Sequence, residues 1–387
     1  MTGIDVNAGR ARFEESTDFT VGLEEEFAIL DAGSLDLSGR FEDLRDAAAS
    51  DPLLAAAVAG ELISSEIEIR SGRGETLADA IHKQRELRRR LFALAGRYNV
   101  KFASTGTHPW ADYREQRVIE TDHYRRVERG LRYVAWRNNT FALHVHVGVK
   151  GADRAIQVCD RLRPVLPQLL AISANSPFLE GREVGLHSVR TQIFTKSFPR
   201  CGVPDAFGDW RTYAEYLDLL VGTESVVEYT QLWWSVRPHL DFGTVEVRIC
   251  DAQPTAQESE ALATLIVACV GQAARDVDEG RPHTDLPPRL IEENMWRAIR
   301  FGMDGQLIDF DRKNQYPARD VTGRLLEWTA PVRVEMGLEP RLPDANGAQR
   351  QRALRRTDLT MSEVYAAFVQ ATHATYGGAG YMTVEVN

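Results

Sequence analysis

No two cysteines in this sequence stand at CxxC spacing. The four present, Cys159, Cys201, Cys250 and Cys269, are widely scattered, which excludes a disulfide framework and a structural zinc cluster of the usual spacing. No apolar run approaches the roughly 20 residues of a membrane helix. The longest, residues 261–270, is half that, and Arg275 and Asp276 follow soon after. The N-terminus has neither a basic n-region nor an apolar h-region, so no signal peptide is read there. A basic excess is missing too: the net charge is −10 over 387 residues, which argues against a general nucleic-acid binder. The arginine-rich run 85–90 lies on a helical pattern beside Glu86 and reads as a solvated helix face. Disorder is excluded by a hydrophobic content of 43%, enough to build a core. The expectation is a soluble, cytoplasmic, reduced protein without membrane or nucleic-acid partners; the oligomeric state, homo-oligomer included, stays open.

Common nucleotide and hydrolase signatures are absent as well. The chain has no Gly-x-x-x-x-Gly-Lys, no Gly-x-Gly-x-x-Gly, no His-Glu-x-x-His and no Gly-x-Ser-x-Gly. What it does have is period-2 alternation in five short segments: 19–30, 64–71, 100–104, 140–149 and 244–251. Helical patterns lie between and beyond them, at 77–98, 154–174 (with Pro164 and Pro167 as kinks), 259–277, 290–300 ending at Gly302, and 362–376 with a Ser362 cap and a stop at Gly377-Gly378. The mixed order of strands and helices predicts an α+β fold with a mainly antiparallel sheet and helices on its outer face. Residues 1–17 are polar and aperiodic and read as a mobile arm. Residues 18–387 read as one catalytic domain, mainly helical from about 289.

Four of the alternating segments share one peculiarity. In Val21-Gly22-Leu23-Glu24-Glu25-Glu26-Phe27, Glu24 and Glu26 point to one face. In Ser65-Glu66-Ile67-Glu68-Ile69-Arg70, Glu66, Glu68 and Arg70 do so. In Leu143-His144-Val145-His146-Val147 the pair is His144 and His146, and in Thr244-Val245-Glu246-Val247-Arg248-Ile249 it is Glu246 and Arg248. Each opposite face is aliphatic. A solvated sheet face accounts for any one strand, but solvated faces mix in lysine, and none of the four segments contains one. Gathered carboxylates repel one another unless cations are present. Several Glu with a His suit Mg²⁺ or Mn²⁺, and cations beside Arg suit nucleotide phosphates. A metal–nucleotide site on this face is therefore expected. His146 reads equally as a ligand or as a packing residue, and Glu66 as structural. Arg190 and Arg237 read equally as binders of a substrate carboxylate or as partners of the crowded acids.

The segments Gly22–Phe27, His144-Val145-His146-Val147-Gly148 and Ser173-Ala174-Asn175-Ser176-Pro177-Phe178 resemble the bacterial carboxylate–amine ligase family. So do Gly106-Thr107-His108-Pro109, Trp233-Trp234-Ser235-Val236-Arg237-Pro238 and Gly243-Thr244-Val245-Glu246-Val247-Arg248. Its members are labelled glutamate–cysteine ligase type 2, similar to glutamate–cysteine ligases and more distantly to glutamine synthetase. The resemblance implies a glutamine-synthetase-like sheet curved around ATP and Mg²⁺. It implies Glu26, Glu61 and Glu68 as ligands of one metal, and Glu24, His144 and Glu246 as ligands of the metals that hold the ATP phosphates. Arg248 would face the transferred phosphoryl group. Glu61, seven residues before Glu68, comes from the resemblance alone. The implied activity is ATP-dependent amide formation between a small carboxylate, glutamate by analogy, and an amine. A metal-dependent amidohydrolase and a non-catalytic ATP-binding relative are the alternatives. Departures from the family pattern fall at His123, Cys201 and Ser235, in segments that read as substrate loops.

Overall fold

Alternation along the strands decides the layering. The computed structural model describes residues 5–377 and contains a seven-stranded sheet made of β1 (Val21–Asp31), β2 (Val58–Ala59), β3 (Glu66–Arg70), β4 (Val100–Ala103), β5 (Ala142–Gly148), β6 (Val236–His239) and β7 (Thr244–Asp251). The strand order is β6-β7-β5-β1-β3-β2, and β4 pairs with the far end of β1, beyond the stretch that β5 occupies. Every pairing in this sheet is antiparallel, as the sequence led us to expect.

One face is sealed. Leu23, Phe27, Ile67, Ile69, Leu143, Val145, Val147, Val245 and Val247 are all at most 2% exposed. Against them lie the helices Leu77–Arg97, Ala152–Leu162, Leu166–Ser173 and Ala256–Asp278. The last is buried along most of its length, as expected of a helix whose sequence is almost wholly apolar on one side. The stretch 154–174 breaks as its prolines require: a 3₁₀ turn over Arg163–Val165 contains Pro164, and Pro167 sits in the first turn of the next helix, where its missing N–H costs nothing. Among the described residues no helix is long and apolar enough to cross a membrane.

Several local expectations are corrected. The supposed N-terminal arm contains a helix, Val6–Glu15, capped by Asp5 and anchored by the fully buried Phe13, which meets Trp210 edge-on at 5.6 Å. One aromatic anchor leaves little periodicity to detect; residues 1–4 lie outside those described. The last helix, Met361–Tyr376, is capped by Thr360 rather than Ser362, because Thr360 and Glu363 form a reciprocal capping box. It ends at Gly377, and Gly378 lies outside the described residues. After the helix Pro288–Phe301, which ends on Gly302 at φ +52° as expected, the chain makes an unforeseen hairpin, Gln306–Asp309 with Asn314–Pro317, before returning to helices. The run 85–90 is not a uniformly solvated face. Arg88 is 1% exposed and donates to Glu25 through Nε (2.7 Å) and Nη2 (2.5 Å), while Nη1 reaches Glu260 at 2.7 Å.

Candidate active site

Register turns sequence-distant acids into neighbours. Arg237 lies opposite Glu246, and Glu246 opposite His146. One row on, His144 lies opposite Glu24, and Glu24 opposite Arg70. Then come Glu26 opposite Glu68 and, last, Glu66 opposite Ala28. Directly opposed residues have Cβ atoms about 5 Å apart and share a face, so the unsealed face becomes a lattice of ionisable groups. Glu61 joins it from the segment between β2 and β3.

Ligand atoms converge in three groups, each within 4.8 Å: Glu26 with Glu61 and Glu68, Glu24 with Glu68 and His144, and Glu24 with His146 and Glu246. The first is the trio implied by the resemblance. The second trio, Glu24, His144 and Glu246, does not converge as one set; Glu24 is shared between two, and it is His146 that joins Glu246. His144 Nδ1 is 3.2 Å from Glu24 Oε2. His146 Nε2 lies 3.3 Å from Glu24 Oε1 and 3.7 Å from Glu246 Oε1 with no hydrogen-bond partner of its own, while its Nδ1 is 3.1 Å from Thr244 Oγ1.

The electrostatics are those of a site short of positive charge. Burial and then Glu26 push the Glu61 carboxyl up to about 8. Glu68 is raised by burial and then by Glu24, Glu61 and Glu26, and Glu66 by burial and then by Glu26 and Glu61. Burial also opposes ionisation of Glu24 and Glu246, yet both are held below the usual carboxylate range, Glu24 by the histidines and Glu246 by Arg237 and Arg248. His146 is raised, its burial outweighed by Glu246 and Glu24, whereas burial and Arg248 lower His144. Oxygen-rich donor sets with orphaned atoms and raised carboxyl pKa values fit hard divalent cations, which would relieve the repulsion.

A bulge aims the arginine. Val247 pairs with Val145 but Cys250 with Leu143, so Arg248 and Ile249 together oppose His144. Their carbonyls are taken up by Arg190, whose Nη2 reaches Arg248 O at 3.2 Å and Nη1 reaches Ile249 O at 3.0 Å. Arg248 bonds to Glu246 through Nη1, and its buried Nε has no partner. Arg237 donates from Nε to Glu246 at 2.6 Å and from Nη1 to the carbonyls of Thr230 and Leu232, both at 2.8 Å. Of the two roles open to Arg190 and Arg237, the structure shows internal bonding for both, although both still line the cavity.

Two cavities meet here. One, of about 410 Å³, is walled by the acids, Arg190, Arg237, Arg248, His123 and Tyr124; the other, of about 620 Å³, by Arg12, Arg73, Val21, Phe242 and Thr244. Glu24 and Arg70 line both. The sequence showed that Arg70 shares the face but gave it no role.

The profile of glutamate–cysteine ligase family 2 (GCS2) matches residues 20–371. The chain belongs to this family. Its relatives include "Putative glutamate--cysteine ligase 2-1" of Rubrobacter xylanophilus, 36% identical over 94% of this chain and 97% of the relative, and "Putative glutamate--cysteine ligase 2" of Sorangium cellulosum, 40% identical over 80% and 82%. The fold is similar to that of glutamate–cysteine ligase from Francisella tularensis, solved in complex with AMP (TM-score 0.68, 12% identity, 94% of this chain and 90% of that one). It is similar also to a bifunctional glutathione synthetase from Pasteurella multocida (TM-score 0.65, 13% identity, 95% and 53%). The ligase class expected from the sequence is that of GCS2.

Within the GCS2 chain, the quoted motifs divide into site and scaffold. Asn175 and Ser176 belong to the scaffold at the far end of β7, where Asn175 N and Ser176 Oγ donate to Asp251 Oδ2 at 2.8 and 2.7 Å. Gly106 is required there, since a Cβ would come within 2.6 Å of the same oxygen. Among the departures, His123 lines the smaller cavity with Nδ1 3.1 Å from Glu228 Oε1, a bond that raises its pKa against the effect of burial. Ser235 is buried and takes Arg248 N on its carbonyl. Cys201 bonds Trp233 O at 3.0 Å, and burial lifts its thiol to about 12, so no thiolate is available as a nucleophile.

Proposed function

We propose that this GCS2 member joins a carboxylate, with glutamate as the favoured acid, to an amine through an acyl phosphate made from ATP. One observation carries the reading: three Glu/His donor sets lie beside Arg248 where two cavities meet at Glu24 and Arg70. The acid's carboxylate oxygen attacks the γ-phosphorus and ADP leaves; the amine then attacks the acyl carbon, and phosphate leaves. Mg²⁺ or Mn²⁺ held by Glu26, Glu61 and Glu68, and by Glu24 with His144, His146 and Glu246, would neutralise phosphate charge. Arg248 stabilises the phosphoryl group in flight: Glu246 fixes its fork, and the unpartnered Nε remains to be used. Arg190 holds the bulge that presents it. Arg70, facing both cavities, grips an anion as it passes between them. With all four cysteines free, we place this ATP-consuming enzyme in the cytoplasm.

The test is ADP release across a panel of amino acids and amines, which is expected to require both an acid and an amine. A hydrolase would cleave amides without ATP, and a sensor would bind ATP without turnover. ATP affinity by calorimetry should collapse in excess chelator; undiminished affinity would remove the metal assignment.

A further inference from the structure

Glu66 is the one site-face carboxylate that the three donor sets leave over. Glu24, Glu26, Glu61, Glu68 and Glu246 all belong to a converging set, and Glu66 belongs to none. It is 1% exposed, yet it lines the smaller cavity, and neither of its oxygens has a hydrogen-bond donor. Across the strand pair it faces Ala28, which offers nothing polar. Its charged neighbours are Glu26, Glu61 and Glu68; with Glu26 it can bond only by sharing a proton. A carboxylate has about four acceptor positions, and leaving them empty in a buried place is costly. What would satisfy Glu66 is a compact cation that donates several N–H bonds. Across the sheet the lining of this cavity runs from Arg237 and Arg248, which flank Glu246 on β6 and β7, to Glu66 on β3, whose strand also carries Arg70.

We infer that Glu66 forms the amine subsite, receiving the ammonium group (R–NH₃⁺) of the incoming amine while the acid substrate occupies the end lined by Arg237 and Arg248. This assignment rests on the ligase reading and adds to it: the second substrate is taken up as a cation that a carboxylate outside the metal-binding sets recognises, its nitrogen gives up one proton before it attacks the acyl carbon and a second as the amide forms, and both protons end on the released phosphate as H₂PO₄⁻.

Glu66→Gln keeps the shape and removes the charge. The probes are glutamate and ATP with either ethylamine, a cation at neutral pH, or hydroxylamine, which is uncharged there. The KM for ethylamine is expected to rise about tenfold or more, with the KM values for ATP and glutamate unchanged and hydroxamate formation from hydroxylamine near that of the wild type. Calorimetry on the protein loaded with Mg²⁺ and a non-hydrolysable ATP analogue should show the ethylammonium heat lost in the variant. An unchanged KM for ethylamine overturns the subsite, as does an equal loss of hydroxamate, which would place Glu66 in the acyl-phosphate step instead. Should the variant not fold, the wild type decides: ethylammonium should inhibit hydroxamate formation competitively against hydroxylamine and isosteric propane-like neutral solutes such as ethanol should not, and equal inhibition by both overturns the inference. A wild-type protein that makes neither amide nor hydroxamate brings down the ligase reading itself, an outcome distinct from either result on Glu66.

Discussion

Strand β1 carries three consecutive glutamates, and the two faces of the sheet treat them in opposite ways. Glu25, on the sealed face, has every need met: Arg88 in a two-pronged pair, Gln84 Nε2 at 2.9 Å and Ser259 Oγ. Despite burial, its pKa is lowered, chiefly by Arg88. Glu24 and Glu26, on the other face, sit among further carboxylates and two histidines, and neighbouring Glu61, Glu66 and Glu68 are all raised. The fold thus gives Glu25 a complete set of partners, while on the other face Glu24 and Glu246 are held by histidines and arginines and the end around Glu61, Glu66 and Glu68 is left short of positive charge.

The comparison breaks most severely at Arg88. Arg88→Ala strands a buried carboxylate and should cost about 3–5 kcal/mol of stability, read by chemical denaturation, while ATP affinity of the remaining folded protein stays near normal. On the open face, Arg248→Lys keeps charge beside Glu246 but loses the planar fork. The barrier to ligation should rise by about 2–4 kcal/mol with little change in melting temperature; wild-type turnover would return this face to the status of an ordinary solvated one. Glu246→Gln sits between the two regimes. Glu246 is the anion for both Arg237 and Arg248, so neutralising it leaves two buried guanidiniums short of a partner. Stability should drop by about 1–3 kcal/mol along with nucleotide affinity; a more stable variant would show that this acid too is surplus.

Acidity sharpens the contrast without mutation. Glu25, with its lowered pKa, contributes stability above the ordinary carboxylate pKa and loses it as pH falls through the folded value. Glu61, raised to about 8, acts the other way: the folded state is favoured while the carboxyl stays protonated and loses ground as pH climbs from about 5 toward about 8. Metal-free protein should therefore weaken over that range, and saturating Mg²⁺ should flatten the slope. Identical slopes in chelator and in Mg²⁺ would count against the Glu26–Glu61–Glu68 set. The smallest effect is expected at Cys201→Ser, where turnover should survive and stability should shift by about 0.5 kcal/mol or less.

Much of the working face could be read from period-2 alternation, because Glu68, His144, Glu246 and Arg248 alternate with aliphatics and Glu24 and Glu26 keep the same period between Leu23 and Phe27. Alternation names a face but not a partner. That is why His146 stayed undecided until β7 brought Glu246 opposite it, and why Arg70 lacked a role until two cavities were seen to share it. Glu61 lies in an aperiodic segment and needed the family motif. Arg88 was misread although a signal existed: it falls on the stripe Ala80, Gln84, Leu87, Leu91, Ala95, all buried, and position on that stripe outranks membership of a charged run.

The extra residue at Val247–Cys250 also makes β7 two strands in one. Before it, the outward-facing positions carry the candidate site residues Glu246 and Arg248; after it, the phase is reversed, so that Asp251 rather than Cys250 turns toward the working side and meets Ser176, Ser188 and the Asn175 amide. Removing a single residue at this point would restore ideal pairing and improve the strand as a strand. Cys250 would still stand opposite Leu143 and Asp251 opposite Ala142, so the deletion would leave the rest of the strand in phase; what it would take away is the local kink that offers the carbonyls of both Arg248 and Ile249 to Arg190.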